Sequence, residues 1–462
     1  MTQRFLCSES SNKLVILGAL GCLLLVGVVI FAVVGGLGGE DPAQDATNAE
    51  PIISGGSGGP PPPASPPPST TTSAATDTVT GHGNDQPSYE PATPSPASGM
   101  PRTAEPPPQP VKEIICTLGG IAATIMKFPP DSLCDYIFYT HVFVNPNYSE
   151  LQSTTGNTSF SVFVKKILSY THTTGGLSFD IQVADPKLLQ NIESTRLDLF
   201  NKKVKHYGVL NIIDEPSNLH AKVQLALEML KKLKQMAGDD NTVRTVIAIG
   251  GLNYDDQDEF EKYQAAIHLA GARHSGASTV IAISSTNAWF GELTSCISVP
   301  PTTLTSTDTR FPGLLRNIDL VSDKVQVISD YTIGGLSIEM AAMLYTFSTN
   351  ITGGLKDNAA YKSCTSATMV HLDMACETDS SNQVTIKDFN AAFANQTKSM
   401  VLLYDIPSTV RQKVKKVMPR LPRKRVAWLY FDVHFTDFLS RCGFNDPFEP
   451  IVGLRDEFYS AR

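Results

Sequence analysis

Two adjacent acids, Asp214 and Glu215, follow the apolar run 209–213 and precede Pro216. A carboxylic acid held neutral near pH 7 can protonate a leaving group, and a carboxylate can take up a proton or orient a reacting group. The pair is therefore the first candidate for acid–base chemistry. Neighbouring residues of a strand point to opposite faces, so a strand running through both could not aim both into one pocket. The same residues with Pro216 also read as a turn and capping sequence that opens the next helix, and both readings stand at this level. The nine histidines show no HExxH or comparable spacing, so no metal is expected. P-loop, dinucleotide fingerprint and GxSxG elbow are missing too, so no cofactor is expected.

The elements that must position such a pair alternate along the second part of the chain. Strand-like apolar runs lie at 114–116, 136–144, 209–213, 243–249, 280–283, 340–345, 400–404 and 426–431. Between them come helical patterns, clearest where Leu219, Val223, Leu227, Leu230 and Leu233 recur at three- and four-residue spacing with Lys222, Lys231 and Lys234 off the stripe. Strands alternating with helices argue for a parallel sheet. Roughly eight such units predict an α/β fold, a (β/α)8 TIM barrel, over residues 111–462.

The rest of the chain carries a different composition. The net charge of -8 argues against a general nucleic-acid binder. Residues 40–110 hold 18 of the 31 prolines and eight acids against one base, Arg102, so one tract accounts for most of the acidity. Such a segment has too few apolar groups to offset its ordering entropy and is expected to be a disordered, partly extended Pro/Ser/Thr-rich linker. Before it, residues 14–39 contain no charged side chain and are long enough to cross a ~30 Å hydrocarbon core as a helix. Arg4 and Lys13 flank one side and Glu40 and Asp41 the other. That bias places a cytosolic tail at 1–13, a single-pass signal anchor at 14–39, and everything later outside the cell or in a lumen. Secretion after signal cleavage is the alternative, although a cleaved apolar region is normally only ~7–15 residues.

Features beyond the membrane agree with export. Cys116, Cys134, Cys296, Cys364, Cys376 and Cys442 are an even set that suggests three disulfides, with fifteen pairings open. Asn147, Asn157, Asn350 and Asn395 head N-glycosylation sequons. The basic series Arg411, Lys413, Lys415, Lys416, Arg420, Arg423, Lys424 and Arg425 reads as the solvated face of the last long helix, or as a contact for an acidic glycan or a convertase.

The order of short motifs is more specific. Ile115-Cys116, then Leu133-Cys134-Asp135-Tyr136 and Tyr139-Thr140-His141, are similar to the first strand and the "CTHI" second strand of the glycoside hydrolase family 18 chitinases and chitinase-like proteins. Arg196 and Phe200 leading to Tyr207-Gly208-Val209 resemble the family's helix and "YGFDG" strand. Leu403 to Ser408 with Lys413 resembles "YDDPxS…K", and Phe431 to Phe438 with Cys442 resembles "WSIDLDDF…C". Tyr345 is placed at the end of the seventh strand, with Tyr361 to Cys364 similar to the "AYYEIC" of a small insertion after it. The resemblance covers nearly all of 111–462. It implies the pairs Cys116–Cys134, Cys364–Cys442 and, with these made, Cys296–Cys376.

In that family an acid at the end of the fourth strand protonates the glycosidic oxygen while the substrate's N-acetyl group attacks the anomeric carbon. The family signature D-G-x-D-x-D-W-E falls on residues 210–217, where the sequence departs from it. Without a gap, the acidic positions become Leu210, Ile213, Glu215 and Ser217; with one deletion, Asp214 and Glu215 stand for the last two. Neither alignment restores the set. The sixth strand's Met-Tyr-Asp falls near Ile283 to Thr286, and the eighth strand's tryptophan is replaced by Phe431, which keeps an aromatic face for a sugar. Trp289 and Tyr345 either line a sugar groove or pack the barrel mouth. The resemblance thus implies a membrane-tethered, non-catalytic chitinase-like protein that binds an N-acetylglucosamine-type glycan or an extracellular protein partner. Its alternatives are an active hydrolase with Glu215 as acid and a purely structural surface scaffold.

Overall fold

The computed structural model describes residues 111–119, 127–238, 240–252, 256–285, 295–305, 311, 313–322, 328–349, 359–376, 383–386, 390–394, 399–421 and 425–461. The expected anchor at 14–39, the linker at 40–110, Trp289, Asn350 and Asn395 lie outside them. Among the described residues no helix is long and apolar enough to cross a membrane.

Alternating buried strands and amphipathic helices close into the predicted barrel. Its strands are β1 (Val111–Gly119), β2 (Tyr136–Asn145), β4 (Thr174–Phe179), β5 (Val204–Asp214), β6 (Thr245–Gly251), β7 (Thr279–Ala282), β8 (Ile333–Glu339) and β14 (Arg425–Phe431). They hydrogen-bond in the order β1-β14-β8-β7-β6-β5-β4-β2, all parallel, and the β1–β2 pairing shuts the ring. The short β3 (Glu150–Ser153) folds back antiparallel on β2. Between β8 and β14 the chain leaves the barrel for a five-stranded antiparallel sheet in the order β10-β9-β13-β12-β11, made of β9 (Ala342–Thr346), β10 (Ser366–Val370), β11 (Gln383–Thr385), β12 (Ala391–Ala394) and β13 (Met400–Tyr404). This is the insertion expected after the seventh strand.

Side-chain alternation splits the core into two layers. Ile115, Phe138, Leu210, Val246, Ile281, Ile333, Ala427 and Leu429 pack inside the ring. Ile114, Tyr139, Val209, Ile247, Val280, Leu336 and Trp428 point outward, under the helices. The helix Pro216–Met236 buries Leu219, Val223, Leu227, Leu230 and Leu233, the stripe read from the sequence. At the N-terminal end, Arg244 pairs with the buried Glu113 at 3.0 Å, and Tyr136 donates to the same carboxylate at 3.2 Å.

Two strand assignments are corrected. The runs 340–345 and 400–404 belong to the insertion sheet, with Tyr345 in β9; the seventh barrel strand is β8. Its sequence, IGGLSIE, and that of β4, TGGLSF, carry glycine pairs and a serine and so lack an apolar strand signal. The glycines are there for space. A Cβ on Gly176 would lie 2.5 Å from the Phe138 ring, and one on Gly335 would lie 2.5 Å from both the Ala427 carbonyl oxygen and Ile281 Cδ1. Gly335→Ala therefore has to push β8 from β14, and is expected to cost about 2–3 kcal/mol in urea unfolding. An unchanged midpoint would contradict this spacing.

The cysteine pairing is corrected as well. Cys116–Cys134 forms as expected, but Cys296 joins Cys364 and Cys376 joins Cys442. Cys364 follows the segment that runs beside 296–298, where Ile297 bridges Ser363 and the Cys364 amide donates to the Cys296 carbonyl at 3.0 Å. Proximity along this bridge settles the partner. Cys376, on the short helix Asp373–Cys376, is left to meet Cys442 beyond β14.

Candidate functional site

All eight barrel strands end at the same rim, the rim where barrels build sites from loops. The end of β5 decides what a family-type acid would find there. The register of β5 against β6 shifts between Val209 and Ile212, so Leu210 and Ile213 both enter the interior apolar cluster despite their three-residue spacing. Two of the ungapped acidic positions thus point inward, as hydrocarbon.

Asp214 turns to the helix behind it. Its carboxylate accepts from the Glu215 amide at 2.7 Å and from Asn218 Nδ2 at 3.1 Å, and pairs with Lys222 Nζ at 2.7 Å. Partial burial alone would push its pKa up, but the bonds from Lys222, Asn218 and the amide outweigh that and hold it below the usual aspartate range. Glu215 and Ser217 are exposed on the first turn of Pro216–Met236. Glu215 occupies the N-cap position of that helix without a side-chain cap bond, and Pro216 stands in its first turn.

The other named positions are placed as follows. Tyr345 is fully buried in the core of the insertion sheet, and its hydroxyl donates to the Val299 carbonyl at 2.7 Å. It packs there. Phe431 ends β14 facing inward, nearly buried against the interior cluster. After β7, Ser284 and Ser285 occupy the region of the expected Met-Tyr-Asp. Both amides donate to Ser337 Oγ, at 2.8 and 3.1 Å, and Asn317 Nδ2 donates to Ser284 Oγ at 3.0 Å. Asn147 and Asn157 are exposed at the two ends of the β3 hairpin region. Of the basic series, Lys415, Lys416 and Arg420 are exposed as expected, whereas Lys413 is fully buried; Arg423 and Lys424 lie outside the described residues.

Polar groups gather instead on the opposite wall. Midway along β2, level with the end of β1, lie Thr140 and the half-buried His141, whose Nδ1 is 3.0 Å from Ser178 Oγ on β4. Just past β4, Asp180 accepts from Asn211 Nδ2 of β5 at 3.0 Å. Past β14, Asp432 adopts a left-handed conformation (φ 50°, ψ 44°), and its amide donates to Thr117 Oγ1 of β1 at 2.8 Å. His434 Nδ1 accepts from the Gly119 amide at 3.1 Å, which leaves the ring proton on Nε2. On β8, Glu339 is buried and accepts from the Met340 and Ala341 amides.

Burial sets the charge states of this wall. It pulls His141 down to about 4, against the upward pull of Asp180, and His434 to about 3, so both imidazoles are neutral at pH 7. It pushes the Asp432 carboxyl up to about 7. Sequence reading does not single out Asp432: an aspartate after a strand is unremarkable until the left-handed turn that carries it inward is seen. The rim is therefore divided. One side, from β5 to β7, holds the apolar Ile213, Leu252 and Ile283 with the hydrogen-bonded Ser284 and Ser285 hydroxyls beyond them; the other, from β14 through β1 and β2 to β4, carries hydroxyls, imidazoles and carboxyls. Among the described residues no cluster of His, Cys, Asp and Glu is arranged to hold a metal.

No family model matches the sequence, and no curated protein matches it either. Solved structures do. A group IV chitinase of Ostrinia furnacalis, solved with allosamidin, aligns over 76% of this chain and 99% of its own with a TM-score of 0.54 at 11% identity. An immunomodulatory active chitinase from Trichuris suis aligns over 75% and 99%, with a TM-score of 0.52 at 15% identity. Human YKL-39, a pseudo-chitinase with retained chitooligosaccharide binding properties, aligns over 75% and 99%, with a TM-score of 0.52 at 11% identity. The fold is that of chitinases and chitinase-like proteins.

Proposed function

We propose that this chain is a membrane-tethered chitinase-like protein that binds an N-acetylglucosamine-containing saccharide at the barrel rim without hydrolysing it. The observation that carries the reading is the end of β5, where Leu210 and Ile213 fill the interior and Asp214 is bound to its own helix. A general acid must keep its proton near neutral pH and reach the leaving oxygen. Asp214 is held below the usual range, the opposite of that requirement, and Glu215 is exposed on the helix turn. A divided rim, hydrocarbon on one side and hydrogen-bonding groups on the other, suits a sugar ring with its apolar face and hydroxyl edge. Binding by the pseudo-chitinase YKL-39 supports the same reading, since that fold can hold chitooligosaccharides without being a chitinase. The uncharged stretch 14–39 and its flanks support the tether.

Incubation with a fluorogenic chitobioside is the test. No turnover above the blank is expected for the wild type or for Glu215→Gln. Turnover that disappears in Glu215→Gln would establish the hydrolase reading instead. An empty glycan array together with a cross-linked protein partner would favour a scaffold.

A further inference from the structure

The division of the rim leaves Asp432 and Thr140 without an evident structural duty. Asp432 holds a left-handed backbone, a conformation that costs a non-glycine residue roughly 1–2 kcal/mol. Its amide bond to Thr117 turns the chain inward over the end of β1, which brings the carboxyl to the inner side of Gly119. A Cβ at Gly119 would stand 3.0 Å from His434 Cε1, 3.5 Å from Thr140 Oγ1 and 3.6 Å from Asp432 Oδ1, so the His434 ring and both polar groups border the small space that the glycine leaves. Neither the Asp432 carboxyl nor the Thr140 hydroxyl makes a hydrogen bond among the described residues, and Asp432 keeps part of its surface open to water. His141, the next residue of β2, uses Nδ1 on Ser178, and its Nε2 makes no hydrogen bond among the described residues.

We propose that Asp432 and Thr140, flanked by His141, form a hydroxyl-binding subsite of the barrel rim, with the Asp432 carboxyl as its anchoring group. The inference rests on the glycan reading above and assigns its polar contacts. The titratable groups on the elements beside Asp432 among the described residues are His141 of β2, His434 of its own turn and the buried Glu339 of β8, which pairs with Phe431 and whose carboxylate is engaged by the Met340 and Ala341 amides; β1 contributes Thr117 and Gly119, which do not titrate. With both imidazoles neutral, a protonated Asp432 can donate to one sugar hydroxyl while accepting from another. Ionisation removes the donor, so affinity falls as pH rises through about 7.

Titration of the full chain in detergent with a chitooligosaccharide tetramer tests this. Asp432→Ala and Thr140→Val should each weaken binding about fivefold to tenfold at pH 6, and Gly119→Ala, which fills the space, should weaken it further. Asp432→Asn, which keeps a donor and an acceptor, should bind as the wild type does at pH 6 and lose the fall between pH 6 and 8. Melting temperatures at pH 6 guard against misfolding. A wild type that binds while Asp432→Ala and Thr140→Val remain unchanged overturns the subsite alone. A wild type that binds no tetramer overturns the glycan reading and the subsite with it.

Discussion

Replacing Lys413 with methionine is expected to destabilise the protein by about 3–5 kcal/mol, the cost of stranding a buried charge. Asp405, just after β13, and Lys413, on the helix Pro407–Val417, form an ion pair whose side chains are 2% and 0% exposed. The ammonium also donates to the Thr302 carbonyl at 2.6 Å, and Thr409 Oγ1 donates to Asp405 at 2.8 Å. Three pieces of chain meet at this pair: the insertion sheet, the helix Pro407–Val417 that leads into β14, and the segment beyond β7, where Thr302 Oγ1 accepts from the Glu339 amide at the end of β8. Methionine fills much of the lysine stem's volume, so the loss reports charge rather than a cavity. The double variant Asp405→Asn/Lys413→Met removes the orphaned carboxylate and should recover at least half of the lost stability in urea unfolding. A single-variant loss below about 1 kcal/mol would mean that the pair behaves like a surface ion pair.

Lys413 also shows where sequence reading stops. Within a run of basic residues nothing local distinguishes the one lysine that turns inward, although the resemblance of 403–413 to "YDDPxS…K" sets it beside Asp405. The barrel is legible because most of its strands are apolar runs and the helix Pro216–Met236 shows its stripe. Two strands are not: β4 and β8 spend their inward positions on Gly176 and Gly335, which serve neighbouring side chains rather than their own strand. An apolar run also cannot say which sheet it joins, so 340–345 and 400–404 read as ring strands although they pair with each other in the insertion. The cysteines follow the same logic, since contact between 296–298 and 361–364 is decided in space.

The candidate site divides in the same way. That residues 210–217 depart from the signature D-G-x-D-x-D-W-E can be read directly from the sequence. What replaces it cannot, because the β5 bulge that turns both Leu210 and Ile213 inward and the left-handed turn at Asp432 are backbone events without a sequence pattern of their own. Polarity leaves one wall of the rim and gathers on the other.

Asp432 should accordingly leave a signature in stability as well as in binding. Burial raises its carboxyl to about 7 from the usual 3.8, so the neutral form is the one the folded protein tolerates. Below the unfolded value both states are protonated and the group carries no penalty. As pH rises, the unfolded chain ionises first while the folded carboxyl keeps its proton, and stability falls progressively until the folded group ionises near 7. Each unit of the window is worth about 1.4 kcal/mol. Because the side chain keeps some contact with water, the realised loss is expected to be about 1–3 kcal/mol. The carboxamide introduced by Asp432→Asn is neutral at every pH, and asparagine tolerates the left-handed region as well as aspartate does. Asp432→Asn should therefore match the wild type in urea unfolding at about pH 3.5 and exceed it by that margin at about pH 8, with the gap opening between about pH 4 and 7. A constant difference across this range would mean that the Asp432 carboxyl ionises as freely in the folded protein as in the unfolded chain. The neutral acid at the rim would then be lost, and with it the donor on which the pH-dependent grip of a sugar hydroxyl depends.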